Sequence, residues 1–165
     1  MKRKQRSLIV AVIGGSAPTP EEVALAEGVG RALAEGGAVL ICGGRGGVME
    51  AACRGAKSAD GLTIGILPGT DPRQANPYVD IPIVTGLGEA RNTIITRTAQ
   101  AVVAIGGSYG TLSEIAFALL FGVPVVGLGT WEVRREGHPP VPIIYAATPE
   151  EAAKRALALA RGRRS

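Results

Sequence analysis

The sequence predicts an α/β fold, a doubly wound parallel sheet of about six or seven strands with helices on both faces. Three observations carry this. Short apolar runs alternate with longer helical patterns along the whole chain. The runs are unbroken rather than alternating, as expected of parallel strands buried on both faces. Glycines gather just after the runs, where strands of such a sheet hand over to helices.

Taken in order, the first strand is residues 8–13, "LIVAVI". It follows a charged segment, as in a signal peptide, but leads into Gly14-Gly15-Ser16 without a small-x-small cleavage site, so it reads as a buried strand. "TPEE" at 19–22 supplies Thr as N-cap, Pro at the first helical position and Glu to close a capping box. That helix should run to about Glu35 and stop at Gly36-Gly37. Strands follow at 38–42, 63–67, 81–84, 101–105, 124–128 and 143–145, with helices near 47–58, 89–98 and 111–121. A second "TPEE" at 148–151 opens a last helix reaching about Ala160. Residues 69–80 and 132–142, rich in Pro, Asn and Asp or interrupted by Gly-His-Pro-Pro, read as loops. With no internal repeat or linker, the expected organisation is a single domain over 7–160 between basic tails at 1–6 and 161–165.

Composition narrows the function. The formal charge is +4, but seven of the eighteen cationic residues lie in the two tails, leaving a mildly acidic body. Tails of this kind act as solvated arms, and aromatic residues are only 4% of the chain, too few for a base-stacking surface, so no nucleic-acid partner is expected. No run approaches the roughly eighteen apolar residues of a membrane span, so no membrane is expected either. Cys42 and Cys53 sit among small and apolar residues, without CxxC and with His138 the sole histidine, so no metal site is expected and both cysteines read as reduced core residues of a cytoplasmic protein.

The glycines point to an anion. The first strand exits into Gly14, Gly15 and Ser16; the second into Gly43, Gly44, Arg45, Gly46 and Gly47; the fourth into Gly86 and Gly88; the fifth into Gly106, Gly107, Ser108, Tyr109 and Gly110. Loops without side-chain bulk let backbone amides and helix N-termini approach a ligand, and a phosphate is the obvious guest. The common nucleotide sites do not fit the spelling. No lysine follows any of these loops, as a P-loop requires; the first strand is followed by GGSAPT instead of GxGxxG; and neither Lys57 nor Lys154 lies at a strand exit, where pyridoxal chemistry would need one. Glu114 stands three residues after Thr111, a third T-x-x-E, so two roles are open to it: capping the helix, or acting as a carboxylate on the floor of the cleft. Arg91, near a helix start where a cation gains nothing from the dipole, suits contact with an anion. Arg45 has the same argument in weaker form.

Three segments resemble a known superfamily: "ICGGRGGVMEAACRGAKSADGLTIGILPG", "EARNTIITRTAQAVVAIGGSYGTLSEIA" and the "GGS" exit of the first strand. They are similar to the Rossmann-like superfamily of the Lonely guy phosphoribohydrolases, often mislabelled lysine decarboxylases, and the molybdenum cofactor carrier proteins, with the closer likeness to the carrier-like branch. The resemblance spans about residues 7–131. It implies a binding protein for a phosphate-bearing nucleotide-like or pterin ligand, with the molybdenum cofactor as possible cargo, no required cofactor, and a homodimer or homotetramer. Its alternative is a nucleoside 5′-monophosphate phosphoribohydrolase, which cleaves the N-glycosidic bond to give free base and ribose 5-phosphate; a pyridoxal-dependent lysine decarboxylase is not implied. Carried over residue by residue, the enzymes' arginine falls on Arg91, their Gly-Thr pair on Gly110 and Thr111, and their glutamate on Glu114. Their lysine becomes Asn92, and their Pro-Gly-Gly becomes Gly106-Gly107-Ser108. Tyr109 would stack on a ligand ring or pack at the loop.

Overall fold

The computed structural model describes residues 6–163. Seven strands, β1 (Leu8–Gly14), β2 (Ala38–Cys42), β3 (Thr63–Leu67), β4 (Ile81–Val84), β5 (Ala101–Ile105), β6 (Val125–Leu128) and β7 (Ile143–Tyr145), form one sheet in the order β4-β3-β2-β1-β5-β6-β7. Every pairing is parallel. The helices are α1 (Pro20–Glu35), α2 (Val48–Lys57), α3 (Asn92–Thr98), α4 (Tyr109–Leu120) and α5 (Pro149–Gly162). The chain builds outward from β1 to β4, then returns to lay β5 on the other side of β1. The order therefore reverses between β1 and β5, where Gly14 stands beside Ile105, and this is where an open parallel sheet leaves a crevice.

The two faces of the sheet bury different residues of the same strands, as a period of two requires. Val10, Val12, Leu40, Cys42, Val103 and Ile105 pack under α1, α2 and α5. Ala11, Ile13, Ile41, Val102 and Ala104 pack with Ile95 of α3 and Ile115 and Ala118 of α4. On the first face α1 and α2 approach so closely that a Cβ at Gly30 would fall on the carbonyl of Ala52, and one at Gly55 on that of Glu27.

The strands match expectation within one residue at each end. β4 departs from it in environment: Ile81, Ile83 and Val84 are exposed. The β3–β4 connection holds a short 3₁₀ turn, Pro72–Gln74, where a crossover helix would lie, and β4 is the sheet edge, paired with β3 on one side only.

The first TPEE forms the expected reciprocal box: Thr19 Oγ1 accepts from Glu22 N–H at 3.2 Å and Glu22 Oε2 accepts from Thr19 N–H at 3.1 Å. The second is skewed by one residue. Thr148 Oγ1 accepts from Glu151 N–H at 3.1 Å, but Glu151 Oε2 takes its bond from Ala147 N–H at 2.8 Å, while Oε1 holds Arg155. Helix α5 runs two residues beyond Ala160, and Arg161 and Arg163 donate to the carbonyls of Gly36 and Gly122. Two of the expected solvated cations are thus docked; those at positions 2–4 and 164 lie outside the described residues.

Candidate functional site

A cleft of ≈ 380 Å³ opens at the carboxyl end of the sheet, over the exits of β1, β2 and β5. Gly14, Gly15 and Ser16 line it from β1, Arg45 and Gly46 from the β2 loop, Arg91 and Asn92 from the start of α3, and Ser108, Gly110, Thr111 and Glu114 from the β5–α4 junction. These sequence-predicted residues, up to 100 positions apart, meet in one place. Gly43, Gly44, Gly47, Gly106, Gly107 and Tyr109 do not line it.

Most of those glycines instead shape the walls. A Cβ on Gly43 would collide with the guanidinium of Arg91, so this position leaves room for that side chain. Gly107 adopts φ +109°, and a Cβ there would meet the side chain of Thr111, so it turns the chain tightly into α4. Gly44, Gly47 and Gly106 are likewise pressed against Gly65, Gly15 and Glu22. Gly86 and Gly88, at the β4 exit, are also absent from the lining. Gly15, Gly46 and Gly110 by contrast face space: a Cβ on Gly110 meets nothing within 4 Å.

Helix α4 starts three residues earlier than its T-x-x-E suggests. Ser108 is its N-cap, without a side-chain cap bond, so Thr111 is the third helical residue and Glu114 lies in the second turn. No hydrogen bond joins Glu114 to Thr111 among the described residues, and the capping role is excluded. Glu114 is 8% exposed on the cleft wall. Burial pushes its carboxyl up to about 7, against the pull of Arg91 and with a further push from Glu89.

Arg91 does not sit in the first turn of α3; it ends a 3₁₀ turn, Gly88–Arg91, that leads into it. That turn folds the side chain inward to 7% exposure. Burial works against its charge, while Glu114 and Glu89 favour it. Its Nε is buried with no hydrogen-bond partner among the described residues. A buried guanidinium is costly without a compensating anion, and the part of the Arg91 side chain that lines the cleft is where an acceptor can reach it. With Arg45 opposite and backbone amides at the start of α4, the arrangement can hold an anion; with Glu114 and Glu89 it sets carboxylates beside that anion.

Sequence reasoning missed Met49, Pro68 and Glu89 in the lining, and Asn76 behind it. Glu89 shares a turn with Arg91, so its spacing could have flagged it. Asn76 is buried and donates through Nδ2 to the Arg45 carbonyl at 2.9 Å, while its N–H donates to Gly44 O at 2.8 Å, pinning the glycine loop from 31 positions away. No sequence signal marks that pairing. Cys42 and Cys53 are free, buried thiols 3.5 Å apart beneath the same loop. Tyr109 points its ring onto Trp131, centroids 6.0 Å apart.

The sequence model of the SLOG cluster4 family matches residues 7–153. An uncharacterised protein of Archaeoglobus fulgidus is 44% identical over 146 residues, 87% of this chain and 90% of that one. A cytokinin riboside 5′-monophosphate phosphoribohydrolase of Mycobacterium marinum is 34% identical over 110 residues, 64% of this chain and 59% of that one. Among solved structures, the molybdenum cofactor binding protein of Rippkaea orientalis superposes with a TM-score of 0.84 at 36% identity, covering 94% of this chain and 99% of that one. The molybdenum cofactor carrier protein of Chlamydomonas reinhardtii gives 0.80 at 37% identity, with 93% and 99% covered.

Proposed function

The chain belongs to the SLOG cluster4 family, and from that premise we propose that it is a binding protein for a small phosphate-bearing ligand of nucleotide-like or pterin type, with the molybdenum cofactor as candidate cargo. The observation that carries this reading is the buried Arg91, whose side chain lines the cleft at the β1–β5 switch point and whose Nε has no hydrogen-bond partner among the described residues. The phosphate would accept from Arg91 and from the amides around Gly110 and Thr111, with the Ser108 and Thr111 hydroxyls adding bonds. The cleft lies within the usual range of small-ligand sites, about 300–1,000 Å³. Among the described residues no group of three or more His, Cys, Asp or Glu could hold a metal ion; the grip on a pterin cargo that we propose is on its phosphate and ring. The solved molybdenum cofactor binding protein and molybdenum cofactor carrier protein named above support this choice of cargo. The functional unit we propose is a homodimer or homotetramer.

Glu114 supports a second reading, a nucleoside 5′-monophosphate phosphoribohydrolase. A carboxylate with a pKa of about 7 beside an anion site can stabilise positive charge growing on the ribose as the N-glycosidic bond breaks and the base takes its electron pair; it can then accept the proton of the water whose oxygen bonds to C1′ and pass that proton to the base. Arg91 would hold the 5′-phosphate. Incubation with a panel of nucleoside 5′-monophosphates, with free base followed by chromatography, separates the two. Ligand retained without base release upholds the carrier; base release that disappears in Glu114→Gln replaces it with the enzyme.

A further inference from the structure

Tyr109 is the first residue of α4 and its side chain is 81% exposed. It belongs to neither core cluster, so it does not stand there to fill the interior. Yet its ring is held in place. It lies on Trp131 with an interplanar angle of 27°, and the Trp131 indole Nε1–H donates to the Ser108 carbonyl at 3.2 Å. The Trp131 carbonyl in turn accepts from the Tyr145 hydroxyl at 2.8 Å. The single tryptophan and two of the three tyrosines of a chain poor in aromatics are therefore tied together at the ends of β6 and β7 and the start of α4. The residues on either side of Tyr109, Ser108 and Gly110, both line the cleft.

An exposed aromatic face, stacked on a second ring that is itself hydrogen-bonded to the Ser108 carbonyl of the cleft wall, has the properties of a stacking surface: large apolar area and few side-chain torsions to immobilise. We propose that the Tyr109–Trp131 pair, which lies outside the cleft lining but next in sequence to Ser108 and Gly110 of its wall, is a ring subsite beside the cleft, receiving the planar heteroaromatic ring of a ligand whose phosphate occupies the site beside Arg91. The subsite makes the protein select ring-bearing phosphate esters over sugar phosphates and inorganic phosphate. This inference rests on the phosphate-site reading above and names the class of ligand that site accepts.

The test uses the full chain and three probes: inorganic phosphate, ribose 5-phosphate and guanosine 5′-monophosphate, the last checked intact by chromatography after each titration. Affinity is read by calorimetry and ring engagement by the emission of Trp131, the sole tryptophan. Wild type should bind guanosine 5′-monophosphate about tenfold or more tighter than ribose 5-phosphate, within the range of one ring stacked on an aromatic side chain, with a change in Trp131 emission that the other two probes do not produce. Tyr109→Ala should remove that preference and leave ribose 5-phosphate affinity unchanged; Tyr109→Phe should keep it. If wild type binds ribose 5-phosphate and guanosine 5′-monophosphate equally, the ring subsite is overturned while the phosphate site stands. Loss of the preference in Tyr109→Phe also overturns it, because the hydroxyl and not the ring would then be the contact. If none of the three probes binds, the phosphate reading and the subsite fall together.

Discussion

Glu114 decides most at the scale of single residues. Its carboxyl is pushed up to about 7 by burial, net of the attraction from Arg91, while an unfolded glutamate titrates near 4.3. The protonated form is thus the one the fold prefers. Below the unfolded value the group is neutral in both states and costs nothing; between about 4.3 and 7 the unfolded chain ionises it while the folded protein keeps it protonated, so stability falls through that window and levels off above it. Glu114→Gln should therefore be about 3 kcal/mol more stable than wild type at pH 8 and nearly equal to it at pH 4. Chemical denaturation at the two pH values checks this, and a difference independent of pH would mean that Glu114 is not strained by its surroundings. Gly110 makes the complementary case. A Cβ there meets nothing within 4 Å and its φ is not left-handed, so Gly110→Val should leave stability within about 0.5 kcal/mol and abolish binding by filling the cleft. Calorimetry showing unchanged affinity for a phosphate ligand would remove Gly110 from the site.

Among the elements, the crossing of α1 and α2 is the sharpest constraint. Gly30 and Gly55 let the backbones touch, and neither Ala52 O nor Glu27 O can move without shifting a helix. Gly55→Ala should cost about 1–3 kcal/mol through overpacking, measured as a lowered urea midpoint with an unchanged slope. Because α2 follows the loop that carries Arg45 and Gly46, the same variant should also weaken ligand binding. The start of α4 shows how far local pattern can mislead. Thr111 and Glu114 spell a capping box, yet the tight turn at Gly107 brings the chain into helical conformation at Tyr109, and the carboxylate is carried one turn in, onto the cleft wall.

For the whole molecule, the cleft joins segments that the chain separates widely, so a ligand there acts as a clasp across β1, β2, α3 and α4. Binding to the folded state alone stabilises it by mass action, and guanosine 5′-monophosphate at about a hundredfold over its Kd should raise the melting temperature by about 5–10 °C. The rise should vanish in Gly110→Val. A shift that survives in that variant would place the ligand elsewhere on the protein.

The sequence by itself determined the strands, the helices and the edge of the sheet at which the glycines gather. Buried parallel strands are continuous apolar runs and their ends are marked by Gly, Pro and capping Thr, all of them local signals. It also supplied Arg91 and Glu114, by resemblance and by residue type. Only the tertiary structure decided which glycines face the cleft and which merely admit a neighbour, as Gly43 admits Arg91. It also decided that Glu114 is not a cap, that β4 stays exposed, that Asn76 pins the Arg45 loop, and that Tyr109 rests on Trp131. Apart from the local turn at Gly107 that moves Glu114, these depend on contacts between residues far apart along the chain, and such contacts are set by the packing of whole elements, which no short stretch of sequence encodes.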